Sequence, residues 1–129
     1  MKKPILCLDF DGVIHSYTSG WQGASVVPDP PVDGAMSFID RAIEDFDVHI
    51  YSSRSGQRGG IKAMKYWLAG HMKEYFGPDR VRWDDVVSEI NWPKEKPPAM
   101  VSIDDRAITF MGEWPDVKLL LDFKPWNKR

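Results

Sequence analysis

Apolar residues along this chain alternate between two rhythms. Ile5-Leu6-Cys7-Leu8 is an unbroken apolar run, the pattern of a strand buried on both faces within a parallel sheet, and it stops at Asp9-Phe10-Asp11-Gly12. Residues from about 13 to 32 have little periodicity. Gly20, Gly23, Pro28, Pro30 and Pro31 predict a loop or short hairpin there, a flap rather than a helix. Ala35, Met36, Phe38, Ile39, Ala42, Ile43 and Phe46 then recur at helical spacing, so a helix is expected from an N-cap at Asp33 through roughly Phe46. Val48 to Ser52 reads as a second strand ending in the polar turn Ser52-Ser53-Arg54-Ser55-Gly56. From about Gly59 to Phe76 a second helix lines up Ile61, Met64, Trp67, Leu68, Met72, Tyr75 and Phe76, and Gly77-Pro78 stops it. A third strand is expected at Val81 to Trp83 or at Val86 to Ile90. Another buried strand is expected at Ala99 to Ile103, and a last one at Val117 to Leu121 before a tail from Phe123 to Arg129. Between the last two strands, Ala107 to Trp114 fits a helix or a hairpin.

Strands alternating with helices imply a parallel sheet joined by right-handed crossovers, the α/β class. A chain of 129 residues is the size of one domain, so residues 1–129 are read as a single unit. Hydrophobic content of 43% and charged content of 28% describe an ordinary globular chain. The single Cys7 excludes an intramolecular disulfide and a thiolate zinc cluster, and a cytoplasmic setting is expected. No apolar run approaches the ~20 residues of a membrane span. A net charge of −2 argues against bulk attraction to nucleic acid but allows a local basic patch.

Open α/β sheets bind ligands beyond the carboxyl ends of their strands, where Asp9 and Asp11 would sit. Two carboxylates that close repel unless a cation or a shared proton intervenes. The expectation is therefore a Mg²⁺ site with one aspartate free to do chemistry. Ser52, Lys96, Asp104 and Asp105 end further strands or lie in the loop between them, so they would converge on the same place. Phosphoryl transfer needs such a set: a nucleophile, a proton shuttle, a divalent cation and fixed donors for the developing charge.

Asp9-Phe10-Asp11-Gly12-Val13 resembles motif I of the haloacid dehalogenase (HAD) superfamily, whose members are mostly phosphatases. Val48-His49-Ile50-Tyr51-Ser52 resembles motif II, Lys96 before Pro97 resembles motif III, and Val101-Ser102-Ile103-Asp104-Asp105 resembles motif IV, in the family's order. The resemblance implies a Rossmann-like HAD fold, three-layer α/β/α, with a mostly parallel sheet, a short flap over about 13–32 and no cap domain. It implies that Asp9 attacks phosphorus to form an aspartyl-phosphate, and that Asp11 protonates the leaving oxygen and then deprotonates water. Mg²⁺ would be held by Asp9, Asp11 through its carbonyl, and Asp104, with Asp105 a further ligand or a group behind the ligands. Ser52, Ser53, Arg54 and Lys96 would hold phosphoryl oxygens. Position of the strand end leaves Ser52 and Ser53 as competitors for the motif II role, and Lys94 competes with Lys96.

The expected activity is thus Mg²⁺-dependent phosphomonoester hydrolysis. The alternatives are a catalytically silent Mg²⁺-binding or nucleic-acid-binding module, or a phosphotransferase using the same site. Arg58, Lys62 and Lys65 share a helix face beside the site, suited to a polyanion. Arg54 after Ser52-Ser53, with Ile103-Asp104-Asp105-Arg106, is similar to the phosphatase domain of phage-type polynucleotide kinase. That similarity implies a nucleotide or a nucleic-acid 3′-phosphate as substrate. Without a cap, a large substrate or a second subunit would have to cover the open site. Tyr17 and Trp21, among the flap residues, would stack a base, pack the flap down or line a subunit contact. His15, alone in a loop, is expected to be incidental.

Overall fold

The computed structural model describes residues 2–78 and 80–128; of Arg80 and Val81 only the backbone is described, and Met1, Asp79 and Arg129 of the expected single unit lie outside. Strand β1 spans Ile5–Leu8, helix α1 Ala35–Asp45, strand β2 Asp47–Ile50, helix α2 Gly60–Phe76, helix α3 Arg80–Ser88 and strand β3 Val101–Ile103. Two short 3-10 helices follow at Val117–Asp122 and Trp126–Lys128. The three strands form one open parallel sheet in the order β2-β1-β3. The fold is mixed α/β, as the alternation predicts.

Register explains the core. Leu6 pairs with Val48 and Leu8 with Ile50, which puts these four side chains on one face. There they meet Met36, Ile39 and Ala42 of α1 and Met64, Leu68 and Met72 of α2 in one buried cluster. The three helices all touch one another, whereas β3 touches only β1 among the regular elements. The second helical layer of an α/β/α sandwich does not form among the described residues.

Four elements differ from the sequence expectation. No strand forms at 81–83 or 86–90; the segment is helix α3 and its exit. Trp83, Val86, Val87 and Ile90, all core or packed on it, recur at helical rather than strand spacing. Val117 to Leu121 is a 3-10 helix whose first turn is capped by the Asp116 carboxylate, accepting from the Lys118 amide at 2.9 Å. Its apolar side chains are 41 to 86% exposed, since it pairs with no strand. Strand β3 is shorter than expected and exposed rather than buried, because no helix lies over Val101 and Ile103. Finally, Gly34 rather than Asp33 precedes α1, without a side-chain cap.

The flap is fastened at its neck. The Ser16 amide donates to the Pro30 carbonyl at 2.9 Å and the Val32 amide to Ile14 at 2.8 Å, so residues 17–29 form a closed excursion after β1. The tail returns to the same place: the Trp126 indole donates to the Gly12 carbonyl at 2.7 Å, and Asn127 to the Ser16 carbonyl at 3.2 Å.

Candidate active site

Parallel pairing brings the carboxyl ends of β1 and β3 side by side. The Asp9 amide continues the ladder, donating to the Ile103 carbonyl at 3.0 Å, so Asp9 stands next to Asp104 and Asp105. These three offer carboxylate oxygens that all lie within 4.8 Å of one another. Gly12 makes the approach possible: it has φ 84°, and a Cβ there would sit 2.2 Å from Asp105 Oδ2. One Asp9 oxygen accepts from the Phe10 amide at 2.9 Å, and one Asp104 oxygen accepts from the Arg106 amide at 2.8 Å. Asp105 Oδ1 is buried with no hydrogen-bond partner.

Three acids in this arrangement repel. Burial, a hydrogen bond with Asp105 and the charge of Asp104 push the Asp9 carboxyl from 3.8 up to about 8. An oxygen-only donor set with an orphaned buried oxygen suits a hard divalent cation.

The Asp11 carboxylate is committed elsewhere. Its Oδ1 accepts from His15 Nδ1 at 2.9 Å and its Oδ2 from Arg54 Nε at 2.8 Å. The Asp29 amide donates to His15 Nε2 at 3.0 Å, so the ring proton is on Nδ1 and points at Asp11. Burial pushes the Asp11 carboxyl up, but the hydrogen bonds from His15 and Arg54 and their charge outweigh it and hold the group below its ordinary range. His15 is therefore not incidental. It is fully buried, touching Phe10, Tyr17 and Trp67, and it links Asp11 to the flap through Asp29, whose carboxylate holds Ser19. Sequence reading missed both His15 and Asp29. A histidine four residues past Asp11 was the available signal, whereas Asp29 had none.

Arg54 is fully buried, an uncommon place for a guanidinium. Its Nη1 donates to the carbonyls of Gly23, Ala24 and Val26 at 2.9–3.0 Å, while the Trp21 ring lies 4.8 Å from its carbon. One side chain thus ties the flap to Asp11. Its Nη2 is buried without a partner. Because the guanidinium is planar, with Nε–H and one Nη2–H side by side, that donor points towards the Asp11 side. The turn carrying Arg54 is compact: Ser52 Oγ accepts from the Arg54 amide at 3.1 Å, and Ser55 Oγ from the Ser52 amide at 3.0 Å. Gly60 lets α2 begin against it, since a Cβ there would meet the Arg54 carbonyl oxygen at 1.9 Å.

Of the two competing serines, Ser52 is buried beside β1, with the Tyr51 amide donating to Leu8; Ser53 is exposed. Lys96 lines a cleft of about 130 Å³ with Asp9, Tyr51 and Asp104, whereas Lys94 faces a different cavity. The structure therefore gathers Asp9, Asp104, Asp105 and Lys96 in one group and Asp11, His15 and Arg54 in an adjoining one.

No family model matches the chain, and neither the curated proteins nor the solved structures compared with it give a match. Among the described residues, no helix is long and apolar enough to cross a membrane.

Proposed function

We propose that this chain is a Mg²⁺-dependent phosphomonoester hydrolase of the haloacid dehalogenase type. One observation carries the reading: Asp9, Asp104 and Asp105 converge within 4.8 Å at the ends of two adjacent parallel strands. Its support is the donor chemistry, the orphaned Asp105 oxygen, and a lysine in the same cleft. Asp9, Asp104, Asp105 and the Asp11 carbonyl would hold the cation. When bound, Mg²⁺ would offset the carboxylates and the phosphoryl oxygens, favouring the ionised form of Asp9.

The chain's own groups supply the rest. An Asp9 oxygen attacks phosphorus, a P–O bond to Asp9 forms, and the ester P–O bond breaks. The leaving alkoxide takes a proton from the Asp11 carboxylic acid. In the second half, Asp11 accepts a proton from water as that water attacks phosphorus. The P–O bond to Asp9 then breaks, giving inorganic phosphate and the starting carboxylate. In the resting geometry both Asp11 oxygens accept hydrogen bonds, the state suited to the base half of the cycle. Acting as acid requires one of those bonds to loosen. Lys96, in the same cleft as Asp9, supplies a donor for phosphoryl oxygens.

The test is phosphate release from p-nitrophenyl phosphate in Mg²⁺ and in excess chelator, with Mg²⁺ binding measured separately by calorimetry. Release that needs Mg²⁺ supports the reading. Mg²⁺ binding without release on a panel of phosphomonoesters would favour a silent binding module, and the absence of both would overturn the site.

A further inference from the structure

Two segments wall the cleft that holds Asp9, one carrying Tyr51 and the other Lys96. Both loops that wall it run on into a second cavity, of about 360 Å³. On one side, the turn that begins at Ser52 carries on through Ser55 and Gln57 to Arg58. On the other, Lys94 stands two residues before Lys96, a separation that extended chain spans in at most ~7 Å. Arg58, Lys62 and Lys94 line this cavity and no carboxylate does. Among the described residues none of the three forms an ion pair. Uncompensated cations around a concave surface concentrate anions. Lys65, expected from the helix face to join them, does not line the cavity.

Gly59 and Lys62 also border a further cavity, of about 660 Å³, walled by Tyr66, Trp67, His71 and Glu74 of α2 and by Ser25 and Val27 of the flap. Tyr66 is 84% exposed, although aromatic. Trp67 is held still by its indole N–H on the Asp29 carbonyl at 2.9 Å and by the His71 ring at 4.5 Å. The cationic cavity and the cavity beside Tyr66 therefore adjoin, sharing Gly59 and Lys62, and the chain segments that wall the first also reach the Asp9 cleft. A positive groove interleaved with aromatic faces is how single-stranded nucleic acid is held without sequence preference.

We propose that this tract is a single-stranded nucleic-acid site. The phosphodiester next to the reacting phosphate lies among Arg58, Lys62 and Lys94, and the adjoining base stacks against the exposed ring of Tyr66. The proposal rests on the hydrolase reading of the cleft, but its residues lie outside the catalytic set.

The experiment is fluorescence anisotropy of a short labelled oligothymidylate with the full chain, in chelator so that nothing is hydrolysed, across a salt series. Wild type should bind at low salt. R58E/K62E/K94E should weaken binding about tenfold or more and, at about 0.7 per contact for three contacts, lower the salt slope by about 2. Tyr66→Ala should weaken binding about tenfold with the slope unchanged. Both variants should retain wild-type hydrolysis of p-nitrophenyl phosphate. Absence of wild-type binding at low salt, or wild-type affinity and slope in both variants, would overturn the site. Binding lost in the triple variant but untouched in Tyr66→Ala, with inorganic polyphosphate competing equally well, would overturn the nucleic-acid assignment in favour of a general anion patch. Oligonucleotide binding without any ester hydrolysis would fell the hydrolase reading alone.

Discussion

Arg54 joins three things that would otherwise move separately: the flap carbonyls, the Asp11 carboxylate and the turn at the end of β2. Breaking a buried ion pair by removing one partner costs about 3–5 kcal/mol, because the remaining charge is stranded. Arg54→Ala should therefore lower unfolding stability by about that amount in denaturant titration. Arg54→Lys should recover little, since an ammonium cannot reproduce a planar fork that spans Asp11 and three carbonyls. Hydrogen exchange at the Ser16 and Val32 amides, which close the flap neck, should quicken in both variants.

Asp9 and Asp11 have opposite linkage to pH. The folded value of Asp9 is raised, so the folded state keeps a proton that the unfolded chain has lost. Its contribution is present below 3.8 and is lost as pH rises towards about 8. Asp11 is depressed, so its contribution is present above 3.8 and is lost in acid. In chelator, melting temperature should thus fall between about pH 5 and pH 8, and Asp9→Asn should flatten that slope. A slope of the same size in Asp9→Asn would assign it to other groups.

Elements set the site through one close approach, β3 beside β1 with Gly12 between their ends. Gly12→Ala places a Cβ against Asp105 at a left-handed φ of 84°, so Asp105 must move. Mg²⁺ affinity measured by calorimetry should fall at least about tenfold while the far-ultraviolet circular dichroism stays native, because the core lies on the other elements. Unchanged affinity would mean that Asp105 is not a ligand. This element scale is also where the sequence was most and least legible. Strands β1 and β2 and helices α1 and α2 each bury a stripe against the same cluster, so their periodicity was written in single segments. The acids were legible because they end β1 and β3. Trp83, Val86, Val87 and Ile90 carried helical spacing too, but short valine-rich runs also suit strands. Val117 to Leu121 misled for a different reason: a strand exists only with a partner, and no local pattern says whether one will be there. Contacts of His15 with Asp29 depend on the flap folding back over fourteen residues, which no spacing encodes.

At the scale of the molecule, the loop leaving β1 is the meeting point. The flap is tied to it through His15 and Arg54, the tail through Trp126 on Gly12, and β3 through Asp105. Beyond β3 the chain is open, with Met111, Trp114 and Leu121 each more than 80% exposed. Everything ordered around the carboxylates therefore bears on Asp9, the group proposed to take up the phosphoryl group. The most direct measurement is phosphate release by Asp9→Asn beside wild type in saturating Mg²⁺. The amide keeps the shape and removes the nucleophile, so the rate should fall on the order of 10⁴-fold or more. A variant rate within about tenfold of wild type would contradict covalent catalysis by Asp9.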